Sequence, residues 1–489
     1  MCWIVGITSR GFLDISEDLA ISTEWLKHRW DDSVGAFMYY NGELQDIVKR
    51  RRVTPKLLQQ IRLMWPEEGE VGPNEKIIAL WQTRYTTSRG KARALNSQPY
   101  TVADDDSQLD LIFNGNIADH ERVRREHLEK YTYSTRGDTE TLSRFIFHNI
   151  EAILRQSGQS NVRNAIEETV KRVLAVFRGW YSVIAKYGKE EFIFKDMYWI
   201  RPLSYGDKGE WYHIFSSEPY FYDRIWYTYR GELPNGSLIF PGCEPVSLLT
   251  ENISQRPDVF EFVYLAKDDS ILYWVEVRKV RFDLGFSAAS ELRENHPDWE
   301  FDHIMGVPNG ANIMREWVCK AYWFDPSIPN GMIRKPYSGR SFMAGTQKER
   351  EQMVRDKFLI DPSQVWWKRI LLVDDSIVRW TTMKIIVDML LEAWALSVTV
   401  LSASPIVHYG DKYGIAMSTN ELIGINHTDG RHLNCQQIEE ELFYDSKLWR
   451  QKARLFYPSV PNFLDVFKKH NMPNVHAGYF TGEFCYDMN

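Results

Sequence analysis

Residues 369 to 382 read Arg-Ile-Leu-Leu-Val-Asp-Asp-Ser-Ile-Val-Arg-Trp-Thr-Thr, an apolar run that ends in two carboxylates, a cation and a hydroxyl-rich turn. An unbroken apolar run such as Ile370–Val373 belongs to a strand buried on both faces, the condition of a parallel sheet. Asp374 and Asp375 then stand at the carboxyl end of that strand, where open α/β sheets collect their ligands. Ser376, Thr381 and Thr382 can offer hydroxyls, with backbone N–H groups, to a phosphate at the start of a helix expected over Met383–Ala393. A bare Asp-Asp pair is more often a solvated acidic turn. The whole stretch points instead to a phosphate and metal site, with Asp374 and Asp375 as the metal ligands.

The chain begins Met-Cys-Trp-Ile-Val-Gly-Ile. A small second residue permits removal of the initiator methionine, which would leave Cys2 with a free amine beside its thiol. An α-amino group titrates at about 8 and a thiol at about 8.5, so the amine can act as general base for its own side chain. A lone Cys in an N-terminal strand is more commonly a buried core residue. Other segments have to decide between the two.

The Asp-Asp stretch closely resembles the ribose-phosphate loop of type I phosphoribosyltransferases. The wording Val-Asp-Asp-Ser-Ile-Val-Arg, residues 373 to 379, resembles more specifically the glutamine phosphoribosylpyrophosphate amidotransferases, or amidophosphoribosyltransferases. Gln82-Thr83-Arg84 with Asn96-Ser97-Gln98-Pro99 resembles that family's arginine segment, which implies that Arg84 grips the glutamine α-carboxylate. Phe113-Asn114-Gly115-Asn116 resembles its oxyanion turn, in which Asn114 and Gly115 donate to a tetrahedral intermediate. Gly137-Asp138-Thr139-Glu140 resembles the segment whose acid receives the substrate ammonium, here Asp138. Lys335, Tyr337 and Arg340 fall in a stretch that resembles the mobile loop closing over phosphoribosylpyrophosphate, and Arg379 stands in the phosphate loop. The resemblance covers most of residues 1 to 425.

It implies an α+β N-terminal nucleophile glutaminase, an αββα sandwich over residues 1–240, followed by an α/β type I phosphoribosyltransferase domain over 258–425. A C-terminal helical region is expected over 426–489. The activity implied is attack of Cys2 on glutamine and transfer of the released ammonia to Mg²⁺-phosphoribosylpyrophosphate, in a homo-oligomer, dimer or tetramer. Two departures touch the second site. Asn309-Gly310 replaces the family's acidic and hydroxyl residues, and Pro336 stands where the mobile loop carries Arg.

Composition narrows the class. A chain of 489 residues suits two or three domains. No apolar run approaches the roughly 20 residues needed to cross a bilayer, and no signal-peptide core is present, so a cytoplasmic protein is expected. With 59 basic against 66 acidic residues and no long basic tract, nucleic acid is not an expected partner. The five cysteines, at 2, 243, 319, 435 and 485, include no Cys-x-x-Cys. Asp258 replaces the cysteine that precedes the hinge in cluster-bearing relatives, so no iron–sulfur cluster is expected.

The chain holds 18 tryptophans. Trp3, Trp30, Trp81, Trp199, Trp274, Trp323, Trp367, Trp380 and Trp394 stand where the family motifs have glycine, and Trp180 is a tenth candidate. An indole at position 380 would occupy the volume of a phosphate turn that glycine keeps open. One replacement for one residue type, repeated so often, suggests UGA codons that some bacterial lineages read as glycine. The alternative is a repurposed or impaired paralogue, regulatory or scaffolding, in which the residues are tryptophan.

Overall fold

The computed structural model describes residues 3–11, 15–26, 33–50, 53–64, 75–84, 98–157, 161–335, 347–411, 422–443 and 452–486. Two antiparallel sheets form the first half. One is ordered Thr228–Glu232, Ser204–Asp207, His213–Ser216, Trp3–Arg10, Lys76–Arg84, Ser33–Tyr40, Glu43–Arg50. The other is ordered Val246–Ser247, Ser237–Ile239, Glu190–Lys195, Trp180–Tyr187, Gln108–Asn116, Tyr100–Ala103.

Alternation along each strand divides the side chains between two layers. Ile4, Phe37, Ile78 and Leu80 meet Ile112, Ile184 and Ile193 in the core between the sheets. Trp3, Val5 and Ile7 turn the other way, toward Leu19 of helix Ser16–Leu26 and Leu57 and Ile61 of helix Pro55–Arg62. On the second sheet Leu109, Leu111 and Phe113 face helices Asp138–Ser157 and Val162–Val176 through Leu142, Ile146, Ile166 and Val170. The result is the expected αββα sandwich. Asn161 starts the last helix by accepting the Asn164 N–H at 3.2 Å.

The second half is built on a parallel sheet ordered His303–Gly306, Arg369–Asp374, Ser397–Ser402, Ala453–Phe456. Leu371 and Val373 face the core of helices Val277–Asn295 and Asn312–Ala321, while Ile370 and Leu372 face helix Trp380–Glu392. Both faces are covered, which is why the run reads as continuously apolar.

Three expected boundaries shift. Strand Val246–Ser247 pairs with Ser237 and Leu238, so the six-stranded sheet runs past residue 240. The region after 425 supplies the strand Ala453–Phe456 to the parallel sheet besides its helices, because a four-residue Ala-Arg-Leu-Phe segment is too short to display a period. The helix expected from Met383 begins at Trp380, directly after Arg379, whose backbone is extended (φ −132°, ψ 136°).

One buried charge in the sandwich has a measurable consequence. Glu191 is fully buried, and neither carboxylate oxygen has a hydrogen-bond partner among the described residues. Burial pushes its pKa up to about 7, against the pull of Lys76. Because the folded value lies above the unfolded one, the stability it contributes is present below the ordinary glutamate range and lost as pH rises through about 7. Urea titrations should therefore show Glu191→Gln gaining on the parent by about 2–3 kcal/mol between about pH 5 and pH 8. A difference that does not change with pH would remove the buried-charge account.

Candidate active site

Two groups of residues meet at strand ends. The first lies where strand Trp3–Arg10 begins. Ile4 is held by a reciprocal pair: its N–H donates to Ser217 Oγ at 3.2 Å, and its carbonyl accepts the Ser217 N–H at 3.1 Å. Asn114 Nδ2 reaches the same hydroxyl at 3.4 Å. Cys2 lies outside the described residues. Arg84 closes its strand one residue beyond Thr83, which pairs with Trp3.

Gly115 is opposite Tyr181, and a Cβ there would come within 2.0 Å of the Trp180 carbonyl oxygen. Only glycine permits that approach. The Phe113 N–H donates to Gln98 Oε1 at 2.6 Å, and its carbonyl accepts Gln82 Nε2 at 2.9 Å. The Ile117 N–H donates to Asp138 Oδ2 at 3.2 Å. Residues two apart in a strand aim their N–H groups the same way, so the Gly115 N–H points along this edge, between Gln98 and Asp138. Asp138 opens its helix and also accepts the Thr139 N–H at 2.9 Å.

Asn114 Oδ1 is buried without a hydrogen-bond partner among the described residues. With the amide turned over, the Ser217 hydroxyl donates to Oδ1 and the NH₂ takes the side on which Oδ1 has no partner among the described residues. That is the orientation an oxyanion donor needs. Gln98 and Ser217 position this edge, yet local sequence gives no sign of it, since each acts on strands far away in the chain.

The second group lies at the carboxyl end of the parallel sheet. Asp374 pairs with Ser402, and its carbonyl accepts the Ala403 N–H at 2.9 Å. Its Oδ1 accepts the Asp375 N–H at 3.0 Å, and Asp375 Oδ1 accepts the Ser376 hydroxyl at 3.0 Å. A Cβ on Gly310 would come within 1.9 Å of Asp375 Oδ2. The turn at Pro308–Gly310 thus lies on the acid pair, and the absence of a side chain at 310 is a fitted feature of this site.

Burial pushes the Asp374 carboxyl up, with the adjacent Asp375 adding to it, and burial also pushes Asp375 up. Two acids so strained toward protonation are relieved by a cation. Among the described residues no group of three or more His, Cys, Asp or Glu side chains comes together for a metal. Two adjacent carboxylates suit Mg²⁺, which takes one or two protein carboxylates and fills its shell from substrate phosphates and water.

Sequence reading passed over Lys357. It ends helix Gln347–Lys357; burial and Arg334 push its ammonium down to about 8, while Asp374 pulls the other way. Its carbonyl accepts the Lys335 N–H at 2.9 Å, which ties Lys335 to the end of this helix. Tyr337 and Arg340 lie outside the described residues. Arg379 is exposed, and its side chain does not cap the helix that follows it. Thr381 and Thr382 occupy the first turn of that helix and not the loop before it, beside N–H groups that have no intrahelical acceptor. Trp380, the first helical residue, is buried in the core cluster with Ile377 and Met383.

Residues 88–222 match the family model of a glutamine amidotransferase domain. The amidophosphoribosyltransferase of Pseudomonas aeruginosa is 29% identical over 99% of this chain and 93% of its own length. That of Saccharomyces cerevisiae is 27% identical over 99% and 92%. The structure of glutamine phosphoribosylpyrophosphate amidotransferase from B. subtilis, complexed with ADP and GMP, is similar with a TM-score of 0.78 at 25% identity, covering 100% of this chain and 98% of that one. The similarity runs through both halves, so that along nearly its whole length the chain is similar to amidophosphoribosyltransferases.

Proposed function

We propose that the protein catalyses glutamine-dependent amination of 5-phosphoribosyl 1-diphosphate, giving 5-phosphoribosylamine, glutamate and pyrophosphate, the first step of purine synthesis. The observation that carries this reading is the presence in one chain of a strand edge at Asn114–Ile117 bound to Asp138 and an acid pair roofed by Gly310.

In the first half-reaction the Cys2 thiolate attacks the glutamine side-chain amide after its own amine has taken the thiol proton. Arg84 and Asp138 hold the carboxylate and ammonium of the substrate. Asn114 and Gly115 donate to the oxyanion, and water then releases glutamate. Ammonia must pass to the second site away from bulk water, where protonation would make it inert. There Asp374 and Asp375 orient the ribose hydroxyls, and Ser376, Thr381 and Thr382 hold the 5-phosphate with the helix N–H groups. Mg²⁺, when bound at the acid pair, neutralises charge on the diphosphate. Lys335, Tyr337, Arg340 and Arg379 favour departure of pyrophosphate, with Lys357 a further cation facing Asp374. The glutaminase unit spans about 1–240 and its edge strand, the transferase unit begins near 258, and the enzyme is a cytoplasmic dimer or tetramer on this reading. A repurposed paralogue is the second reading, favoured by the buried indole of Trp380 at the phosphate helix.

Cys2→Ala should reduce glutamine-dependent synthesis by at least about a thousand-fold while synthesis from added ammonia persists, measured as pyrophosphate release. Equal loss with both nitrogen donors would remove Cys2 from its assigned role. Gly310→Ala should displace the Asp375 carboxylate and lower ammonia-dependent synthesis by about a hundred-fold. Glutamine hydrolysis, assayed as glutamate, should be kept. Unchanged synthesis in that variant would separate the Pro308–Gly310 turn from the reaction.

A further inference from the structure

Nine non-glycine residues among the described ones have left-handed backbone, with φ between 50° and 68°. Two are Asn41 and Asn471, a residue type that adopts this region readily. Of the other seven, six are tryptophan: Trp199, Trp226, Trp274, Trp323, Trp367 and Trp394; the seventh is Tyr273. A bulky aromatic residue is among the poorest choices for this conformation.

The hydrogen bonds around each position identify a glycine turn independently of any family motif. At Trp323 the N–H donates to the Lys320 carbonyl at 3.2 Å, and the next N–H, of Phe324, to Cys319 at 2.8 Å. That is a helix end whose left-handed residue is usually glycine. Trp394 repeats it, with bonds to Leu391 and, from Ala395, to Leu390, both 3.1 Å. Trp226 repeats it with Asp223 at 3.3 Å and, from Tyr227, Tyr222 at 3.0 Å. Asn471 shows the same pattern with an expected residue, through Lys468 and Phe467.

Tyr273 and Trp274 are the two-residue loop of the hairpin Ile271–Leu272 to Val275–Glu276, with φ of 54° and 62°. Positive values at both positions select Asn-Gly and its relatives. At Trp367 a turn closes by Lys368 N–H to the Val365 carbonyl at 3.1 Å, with Trp366 at φ −55°, ψ 123°. Its third residue needs positive φ, hence glycine. Trp199 follows an Asp196 carboxylate that accepts the N–H groups of Tyr198 and Trp199, each at 2.8 Å. Its ring centroid lies 3.2 Å from that of Tyr273 at 52°, closer than aromatic rings normally settle.

At the other five the indole packs little: the Trp274 ring lies 5.0 Å from that of Tyr229, Trp367 6.2 Å from Trp366, and the Arg293 guanidinium 4.6 Å over Trp323, each with the indole largely exposed. Trp226, Trp274, Trp323, Trp367 and Trp394 are 58–83% exposed and spread over separate turns. Trp25, Trp299 and Trp317, which contact Tyr220, His296 and Phe282, differ from them in having ordinary backbone.

We infer that positions 199, 226, 274, 323, 367 and 394 are glycine in the protein made by its own cell, encoded by UGA codons read there as glycine. The backbone alone adds position 226, which no motif revealed. The same codon is then expected at 3, 30, 81 and 380, where the motifs have glycine, with 180 a further candidate, and the phosphate helix would start on an open residue. The six-position inference rests on turn geometry and stands whether or not the proposed reaction is correct.

The test reads the gene and the native protein together. UGA codons are expected at the six positions and UGG at 25, 299 and 317, with peptide mass spectra of the protein from its own cells giving glycine at the six and tryptophan at the three. A tryptophan mass at the six positions overturns the inference. A second measurement uses the full recombinant chain as written here. Trp323→Gly and Trp394→Gly should melt above the corresponding alanine variants by about 2–4 °C, while at Trp317, inside a helix, alanine should melt above glycine. Alanine melting at or above glycine at 323 and 394 would equally defeat it.

Discussion

The two halves of this chain are joined through the buried guanidinium of Arg201. Its Nη1 lies 2.8 Å from Glu261 Oε1 and 3.5 Å from Asp258 Oδ2, with Arg201 just ahead of strand Ser204–Asp207 and both acids on the approach to the parallel sheet. Burial opposes the charge on Arg201, but Glu261 and Asp258 outweigh it and raise its pKa; burial likewise holds Asp258 up to about 6 despite Arg201. The Tyr479 hydroxyl donates to Asp258 Oδ2 at 3.0 Å, bringing the C-terminal segment into the same joint. Removing one partner of such a group leaves a buried charge uncompensated, at a cost of about 3–5 kcal/mol. The joint is therefore specific in geometry whatever its net stabilisation. Glu218 acts similarly: its Oε2 accepts the Lys267 N–H at 3.1 Å and the Ser270 hydroxyl at 2.5 Å.

Glu218 follows Ser217, the residue that fixes Ile4 at the head of the first strand. The strand edge proposed to bind an amide is thus one residue from a side chain bound to the other half. A free intermediate such as ammonia has to travel between sites whose separation does not drift. Two buried polar joints hold that separation more strictly than an apolar contact could, because each has a single satisfying arrangement. Both sites also use glycine to bring groups closer than a side chain permits: Gly115 against the Trp180 carbonyl and Gly310 against Asp375.

Local sequence shows what a single element can show. The apolar run ending in Asp374-Asp375 revealed a doubly covered parallel strand, and Asn114-Gly115 and Asp138 do share one edge of the six-stranded sheet and the helix packed on it. What local sequence could not show depends on contacts between distant elements. Lys357 reads as one more charge on a polar helix and gains meaning only beside Asp374. Ser217 and Gln98 are short polar side chains whose partners lie 213 and 15 residues away. The strand Ala453–Phe456 is recognisable because Ser397–Ser402 lies next to it, and by little in its four residues. Position 258, where cluster-bearing relatives have cysteine, carries an acid that ends in the Arg201 joint, a partner contributed by the other half.

The left-handed tryptophans show the converse, local conformation set against the identity of the residue that adopts it. Helix ends, hairpin loops and tight turns are fixed by hydrogen bonds among neighbouring backbones and by the elements on either side. At Trp323 and Trp394 the same pair of closing bonds forms as at Asn471, so the surrounding chain imposes the turn without help from the central side chain. A side chain that opposed the turn and gained only a surface contact would be removed by selection or accommodated by a different turn. Neither has happened at five exposed positions in unrelated elements. Independent physical compensations at each would require separate causes, and the surface contacts of Trp274, Trp323 and Trp367 are with three different kinds of partner. A single change in how one codon is read accounts for all of them and restores agreement between residue and backbone along the chain.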